Sequence, residues 1–191
     1  MVIIEILSPD NLIANKDGFI SAYHAAYSAS PYKEPFAAAQ KFGTEIVGNG
    51  QRQGFHCVIA RLIPNSQIIG FAYGFPCLSG TWWHDTVTQG LSNDIVNKWF
   101  SNAFEFVEFG VIPSFQGQGI GSQLHHKLFS NLDYRTAVSS VLQADIPAFH
   151  LYQARGWTVI RKDFLYNSGG SPCAILGLDI ESYRTVVKAA G

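Results

Sequence analysis

Residues 104–129 read FEFVEFGVIPSFQGQGIGSQLHHKLF, and within them Gly117, Gly119 and Gly121 alternate with Gln118 and Ile120. Ile120, Leu124 and Leu128 then recur at every fourth position, the spacing of one buried helix face, so the glycines stand at a helix N-terminus. Backbone N–H groups there have no intrahelical acceptor, and with the helix dipole they form an anion site. Glycine lets a phosphate come close to them and permits positive φ. The chemistry suggested is the holding of a phosphorylated ligand. Neither the dinucleotide spacing G-x-G-x-x-G followed by an acid nor the Gly-Lys-Ser/Thr of a P-loop is present. Taken alone, the glycines fit a tight structural turn equally well.

Glu105 and Glu108 lie just upstream among Phe104, Phe106, Val107 and Phe109. The β-branched and aromatic run predicts a buried strand, and Pro113 ends it because proline cannot donate to a sheet ladder. A carboxylate in such a strand is desolvated, which raises its pKa toward neutrality. Three residues apart, the two point to opposite faces of a regular strand, so one cleft takes both only across a bulge. An edge carboxylate or a structural salt bridge accounts for either. His125 and His126 lack further ligands and are read as packing, with no metal expected. Cys57, Cys77 and Cys173 are odd in number and without metal-ligand spacing, which suggests free buried thiols in a reducing cytoplasm.

The elements that must position these groups follow from local pattern. Residues 1–11 begin as a strand, since Glu5 and the absence of a basic flank argue against a signal peptide. Residues 11–28 and 35–47 predict helices, the second weakened by Gly43. Residues 55–63 and 67–75, separated by Pro64-Asn65-Ser66, predict a β-hairpin. Residues 78–102 form a long insertion with Trp82, Trp83, His84, Asp85, Trp99 and Phe100, loop-like over 79–85 and helical over 91–100; loops of this length are usually functional. Strands follow at 137–144, 156–160 and 173–180, with a helix at 147–154. The order gives a mixed α/β fold of about seven strands, mostly antiparallel with at least one parallel crossover.

Length and composition agree. The chain has 191 residues, enough for one well-cored domain spanning 1–191. Hydrophobic residues make up 47% and charged residues 14%, which argues against disorder. A net charge of −1 without a dense Lys/Arg stripe disfavours a nucleic-acid partner, and no apolar run reaches membrane-spanning length.

Val111, Pro113, Gln116, Gly119 and Gly121 match V-x-P-x-x-Q-x-x-G-x-G, and the sequence here resembles the GCN5-related N-acetyltransferase (GNAT) superfamily, whose motif reads Q/R-x-x-G-x-G/A. Ala148, Leu151, Tyr152, Gly156 and Trp157 are similar to that family's A-x-x-L-Y-x-x-x-G-F element at the expected distance downstream. The resemblance is close in the C-terminal half and extends to the N-terminal half only through the order of elements. It implies a single-domain GNAT-like fold, with helices on both faces of the sheet and a parallel pair splayed at the cofactor cleft. It also implies transfer of an acetyl group from acetyl-CoA to a primary amine without a covalent enzyme intermediate.

By the same resemblance, the cofactor's pyrophosphate lies on Gln116, Gly117, Gln118, Gly119, Ile120, Gly121 and Ser122, and its pantetheine arm runs along Phe109, Gly110 and Val111. A strand N–H polarises the thioester carbonyl. An alkylamine with a pKa of about 10 needs a base before it attacks, and Glu105 and Glu108 are the candidates. Glu105 stands where histone-type members carry theirs; Glu108 is nearer the reaction centre. Tyr152 matches the tyrosine that protonates the departing thiolate, and a core aromatic is its plainer reading. Asp145 replaces an asparagine that many members use toward the pantetheine; it also suits a cap for the helix begun by Pro147. The aromatic, weakly acidic insertion suggests a small or medium amine with an apolar part, or a peptide N-terminus, under Trp82 and Trp83. Packing of the two tryptophans onto the domain, or a homodimer contact, fits equally. A non-catalytic acyl-CoA-binding sensor or interaction module on the same fold is the alternative function.

Overall fold

The computed structural model describes residues 1–144 and 146–189, without the side chains of 187–189. In chain order the strands are β1 (Val2–Ile6), β2 (His56–Leu62), β3 (Gln67–Cys77), β4 (Ala103–Val111), β5 (Thr136–Leu142), β6 (Thr158–Phe164) and β7 (Cys173–Asp179). The helices are α1 (Lys16–Tyr27), α2 (Phe36–Asn49), α3 (Trp82–Thr88), α4 (Asn93–Trp99), α5 (Ile120–Phe129), α6 (Pro147–Ala154) and α7 (Ile180–Ala189). The strands form one seven-stranded sheet in the order β1-β2-β3-β4-β5-β7-β6. β1 with β2, β2 with β3, β5 with β7 and β6 with β7 are antiparallel, and β4 with β5 is parallel. This is the mixed, mostly antiparallel α/β sheet that the element order predicts.

Contacts gather the chain into two compact units, Met1–Phe75 with Val107–Leu132, and Pro76–Phe106 with Asp133–Gly191. In the first, neighbouring residues of β3 show why helices cover both faces. Phe71 packs on Phe19 of α1 and Phe42 of α2, with ring centroids 6.1 and 5.1 Å apart. At Gly70, one residue earlier and so on the other face, a Cβ would stand 3.0 Å from Leu124 of α5. Gly43 leaves α2 unbroken. A Cβ there would lie 2.4 Å from Ile20 of α1, so glycine is what lets the two helices close on each other.

In the second unit, Cys77, Val87, Trp99, Phe100, Ala103, Val138, Phe164 and Ile175 form a buried cluster around the 78–102 insertion. Residues 82–88, expected in part as loop, are helical. Thr81 enters in an extended conformation, and the Asp85 carboxylate accepts from the Gly80 N–H at 3.0 Å, tying the first turn down. The helix expected over 91–100 is α4, where Ser92 accepts from the Ile95 N–H at 3.5 Å. α7 lies beyond the last strand expected from sequence, although its apolar Ile180 and Tyr183, three apart and both buried, mark one helix face; Asp179 Oδ1 accepts from the Ser182 N–H at 2.8 Å and starts it. The β6 strand, expected over 156–160, runs on to Phe164.

Candidate functional site

The first unit holds the glycine segment. Gly117 and Gly119 adopt φ of 72° and 78°, the left-handed region, and Gly119 is the N-cap of α5. No side chain caps this helix and no acid stands in its first turn, while His126 and Lys127 occupy its last. Its N-terminal amides therefore keep their full anion-attracting character. A Cβ at Gly117 would meet no protein atom within 4 Å, and one at Gly119 only Gln123 Nε2 at 3.9 Å. The glycines thus leave room above the amides that the protein itself does not fill, and this arrangement fits a pyrophosphate. Gln116 is used differently: its Nε2 donates to the Val111 carbonyl at 2.8 Å and ties the loop back to β4. Gln118 Nε2 donates to the Ser114 carbonyl at 3.1 Å.

Glu108 belongs to the same unit. The Tyr27 hydroxyl lies 2.8 Å from Glu108 Oε1 and 2.7 Å from the Phe109 carbonyl oxygen. Tyr27 stacks beside Tyr23, itself stacked on Phe42 at 4.4 Å, so an aromatic wall from α1 and α2 stands over the carboxyl. Burial pushes the Glu108 carboxyl up to about 7. Hydrogen bonds from Tyr27 and from the Phe109 amide hold it down, and the charges of Glu34 and Glu45 push it further up. Its field in turn raises the Tyr23 and Tyr73 phenols, already raised by burial.

Phe109, Gly110 and Val111, in the first unit, end β4, the last two buried, while Glu105, Tyr152, Trp82 and Trp83 lie in the second unit. Glu105 is 7% exposed, and its charge helps raise the Cys77 thiol and the Tyr166 phenol, both raised mainly by burial. The parallel ladder of β4 and β5 ends at Glu105–Val138, and the next β4 carbonyl, that of Phe106, accepts from Ser139 Oγ at 2.9 Å. Tyr152 is 4% exposed, edge-on to Phe106 and 5.1 Å from the Trp157 ring. Trp83 Nε1 donates to the Tyr166 hydroxyl, which donates to Ser140 Oγ, both at 2.8 Å. Trp83 is thereby built into the packing of the insertion. Trp82 is 70% exposed and stacks on Tyr166 at 5.8 Å.

Asp145 lies outside the described residues. His125 is fully buried against Phe129, which is the packing role expected of it. The three cysteines are free thiols. Among the described residues, no three His, Cys, Asp or Glu side chains are grouped to hold a metal, and no helix is long and apolar enough to cross a membrane. Sequence reading missed two residues of consequence, Tyr27 and Tyr166. Tyr23 and Tyr27 share a helix face by spacing, but nothing local shows that the second hydroxyl reaches a strand 81 residues away.

The profile of the acetyltransferase (GNAT) family matches residues 16–157. Among curated proteins, a GCN5-like protein acetyltransferase of Mycobacterium tuberculosis is 28% identical over 123 residues, 60% of this chain and 60% of the relative. The match thus spans less than two thirds of that protein's length. Among solved structures, a GNAT-family protein from Desulfovibrio desulfuricans superposes with a TM-score of 0.66 at 16% identity, over 94% of this chain and 99% of its own. The PaiA N-acetyltransferase of Thermoplasma acidophilum, in complex with coenzyme A, does so with a TM-score of 0.58 at 16% identity, over 94% and 99%. At these identities the structures speak for the fold.

Proposed function

Since the chain belongs to the GNAT acetyltransferase family, we propose that it transfers the acetyl group of acetyl-CoA to a primary amine of a small molecule or peptide and that Glu108 takes the amine's proton. The observation that carries this reading is the Tyr27 hydroxyl 2.8 Å from Glu108 Oε1, a donor for the ionised carboxylate in surroundings whose burial pushes that carboxyl up to about 7. A base with a pKa near the working pH combines a useful ionised fraction with real affinity for a proton. Glu105 remains the comparison residue in the tests.

When bound, acetyl-CoA supplies the activated acetyl thioester. Residues 116–122 would hold its pyrophosphate on the amides of the α5 N-terminus, and the backbone of Phe109, Gly110 and Val111 would receive the pantetheine arm. Gly117→Val is expected to weaken coenzyme A binding at least about 10-fold, because the side chain enters the space over the amides and must also adopt a φ costly for a β-branched residue. The folded protein has room for the new atoms. The φ of 72° nonetheless strains valine by about 1–3 kcal/mol, so Tm should fall as well, and the binding loss is read by calorimetric titration at a temperature where the variant is still folded.

We assign Tyr152 to protonation of the departing thiolate. Tyr152→Phe keeps the ring that packs on Phe106 and Trp157, so the variant should fold while kcat falls about 100-fold or more. A purely packing tyrosine would leave kcat as it was. The exposed Trp82 is proposed as an acceptor contact, favouring an amine with an apolar part or a peptide N-terminus, and the protein acetyltransferase relative favours the peptide. Residues 1–191 would then be one catalytic domain with 78–102 as its acceptor-side insertion, working in the cytoplasm, where its three free thiols stay reduced. Release of free thiol from acetyl-CoA against a panel of small amines and peptides tests the proposal. Turnover with one class, lost in Glu108→Gln, supports it; binding of coenzyme A without turnover on any amine refutes it.

A further inference from the structure

The Tyr27 hydroxyl faces two acceptors and carries one proton. Glu108 Oε1 at 2.8 Å and the Phe109 carbonyl oxygen at 2.7 Å are both at full hydrogen-bond distance, and a phenol donates along one direction at a time. Tyr27 is 9% exposed, with its ring held by Tyr23 and Tyr32, so the hydroxyl stays over these two oxygens. Which one receives the proton must depend on which oxygen is the better acceptor. An ionised carboxylate surpasses an amide carbonyl, since charge-assisted hydrogen bonds are about twice as strong as neutral ones. A protonated carboxyl is a poorer acceptor than the carbonyl and has its own O–H to offer.

We propose that the Tyr27 hydroxyl is a two-position switch, donating to Glu108 while that carboxyl is ionised and to the Phe109 carbonyl once it is protonated. The inference rests on Glu108 being the base. When the acceptor's ammonium N–H bond breaks and an O–H bond forms on Glu108, the Tyr27 O–H turns to the Phe109 oxygen and leaves the phenol lone pairs facing the new carboxyl proton. Tyr27 keeps its own proton throughout. Each protonation state of the base then has a partner, without movement of any heavy atom. Tyr27 is a positioning residue, acting through Glu108. The groups whose fields reach the pair are Glu34 before α2, Glu45 on α2, Tyr23 on α1 and Tyr73 on β3. Glu45 is paired on the surface with Lys41 at 3.4 Å.

The test follows the 13C shifts of the Glu108 carboxyl and the Phe109 carbonyl in the full chain from about pH 5 to about pH 9, a range that brackets the titration. The expected result is one shared midpoint for both signals in the wild type, and loss of most of the Phe109 titration in Tyr27→Phe while Glu108 still titrates. In that variant the acid limb of kcat/KM should also move to higher pH, because the carboxylate has lost a donor. A Phe109 carbonyl that stays flat while Glu108 titrates, or that titrates equally in Tyr27→Phe, overturns the switch. Should Tyr27→Phe fold poorly, Glu108→Gln serves in its place: a Phe109 signal that still titrates there refutes the coupling. Failure of the base assignment reads differently. Glu108→Gln would then keep wild-type kcat/KM, while the wild-type protein still shows the shared titration of the two carbons.

Discussion

Glu108→Gln should lower kcat/KM about 100- to 10,000-fold, the usual contribution of a positioned base, and should remove the acid limb of the pH profile. In the wild type that limb rises as Glu108 ionises and levels off above about 7. The acceptor amine adds its own limb at higher pH, and this one should survive in the variant. Glu105→Gln, read in parallel, leaves the limb in place if the assignment is right. Glutamine keeps an oxygen for the Tyr27 hydroxyl at nearly the same place, so the loss reports on the proton rather than on packing.

The same substitution has a signature in stability. An ordinary glutamate ionises near 4.5 and Glu108 near 7, so between those values the folded protein holds a proton that the unfolded chain has released. Folding stability therefore falls as pH rises through this window, and the deficit is fully expressed above about 7. A shift of this size corresponds to at most about 3 kcal/mol. Glu108→Gln, which never ionises, should match the wild type below about pH 4 and exceed it at pH 8 in urea unfolding. A variant whose stability relative to the wild type does not rise between about pH 4 and pH 8 would show that the carboxylate is better paired than its burial implies.

Gly177→Ala should be the most damaging single methyl in the second unit. Gly177 sits in β7 opposite Val138 of β5 and Thr158 of β6, and an added Cβ would lie 2.4 Å from Trp99 Cε3 and 2.8 Å from Cδ2 and Cζ3. The Trp99 ring cannot step aside easily. It is 8% exposed within the buried cluster of the insertion, and its backbone carbonyl accepts from Thr136 Oγ1 at 2.8 Å. Overpacking of this kind costs about 1–3 kcal/mol, and for a chain of this length each kcal/mol lowers Tm by about 2–4 °C. Gly48→Ala makes the opposite control. A Cβ there meets nothing within 4 Å on helix α2, so about 0.5–1 kcal/mol should be gained from helix propensity. Thermal unfolding of the two variants in one buffer separates a local clash from a general intolerance of glycine replacement.

Much of this was legible because the relevant signals are local. The alternation and turn residues of the β2–β3 hairpin, the fourfold spacing of α5 and the Pro147 start of α6 each fix an element within a dozen residues. Of the three glycines of the loop, Gly117 and Gly119 take the positive φ that glycine permits, while Gly121 lies in the first turn of α5. What stayed hidden depends on distant partners. The desolvation of Glu108 could be foreseen, but its Tyr27 donor comes from a helix 81 residues earlier. The start of α3 was masked by Gly80 and Thr81, which read as turn until Asp85 is seen to accept from the Gly80 amide. Trp82 and Trp83 are neighbours in sequence that meet Tyr166 differently, one exposed and stacked on its ring and one donating to its hydroxyl, a difference that nothing local in the sequence shows.

The first compact unit is discontinuous in sequence: it takes Met1–Phe75 and then Val107–Leu132, with the chain passing through the second unit between them. On the ribosome this sets an order. When residue 75 has been made, α1, α2 and the hairpin exist without α5, and the β3 face that meets Leu124 is still exposed. Nascent chains emerge at about 5–20 residues per second, so that apolar face waits several seconds for its cover. A release between residues 75 and 132 would leave a fragment with an open sheet face, the kind of species that chaperones and proteases recognise, whereas a stop just beyond Leu132 would give the first unit every segment it needs.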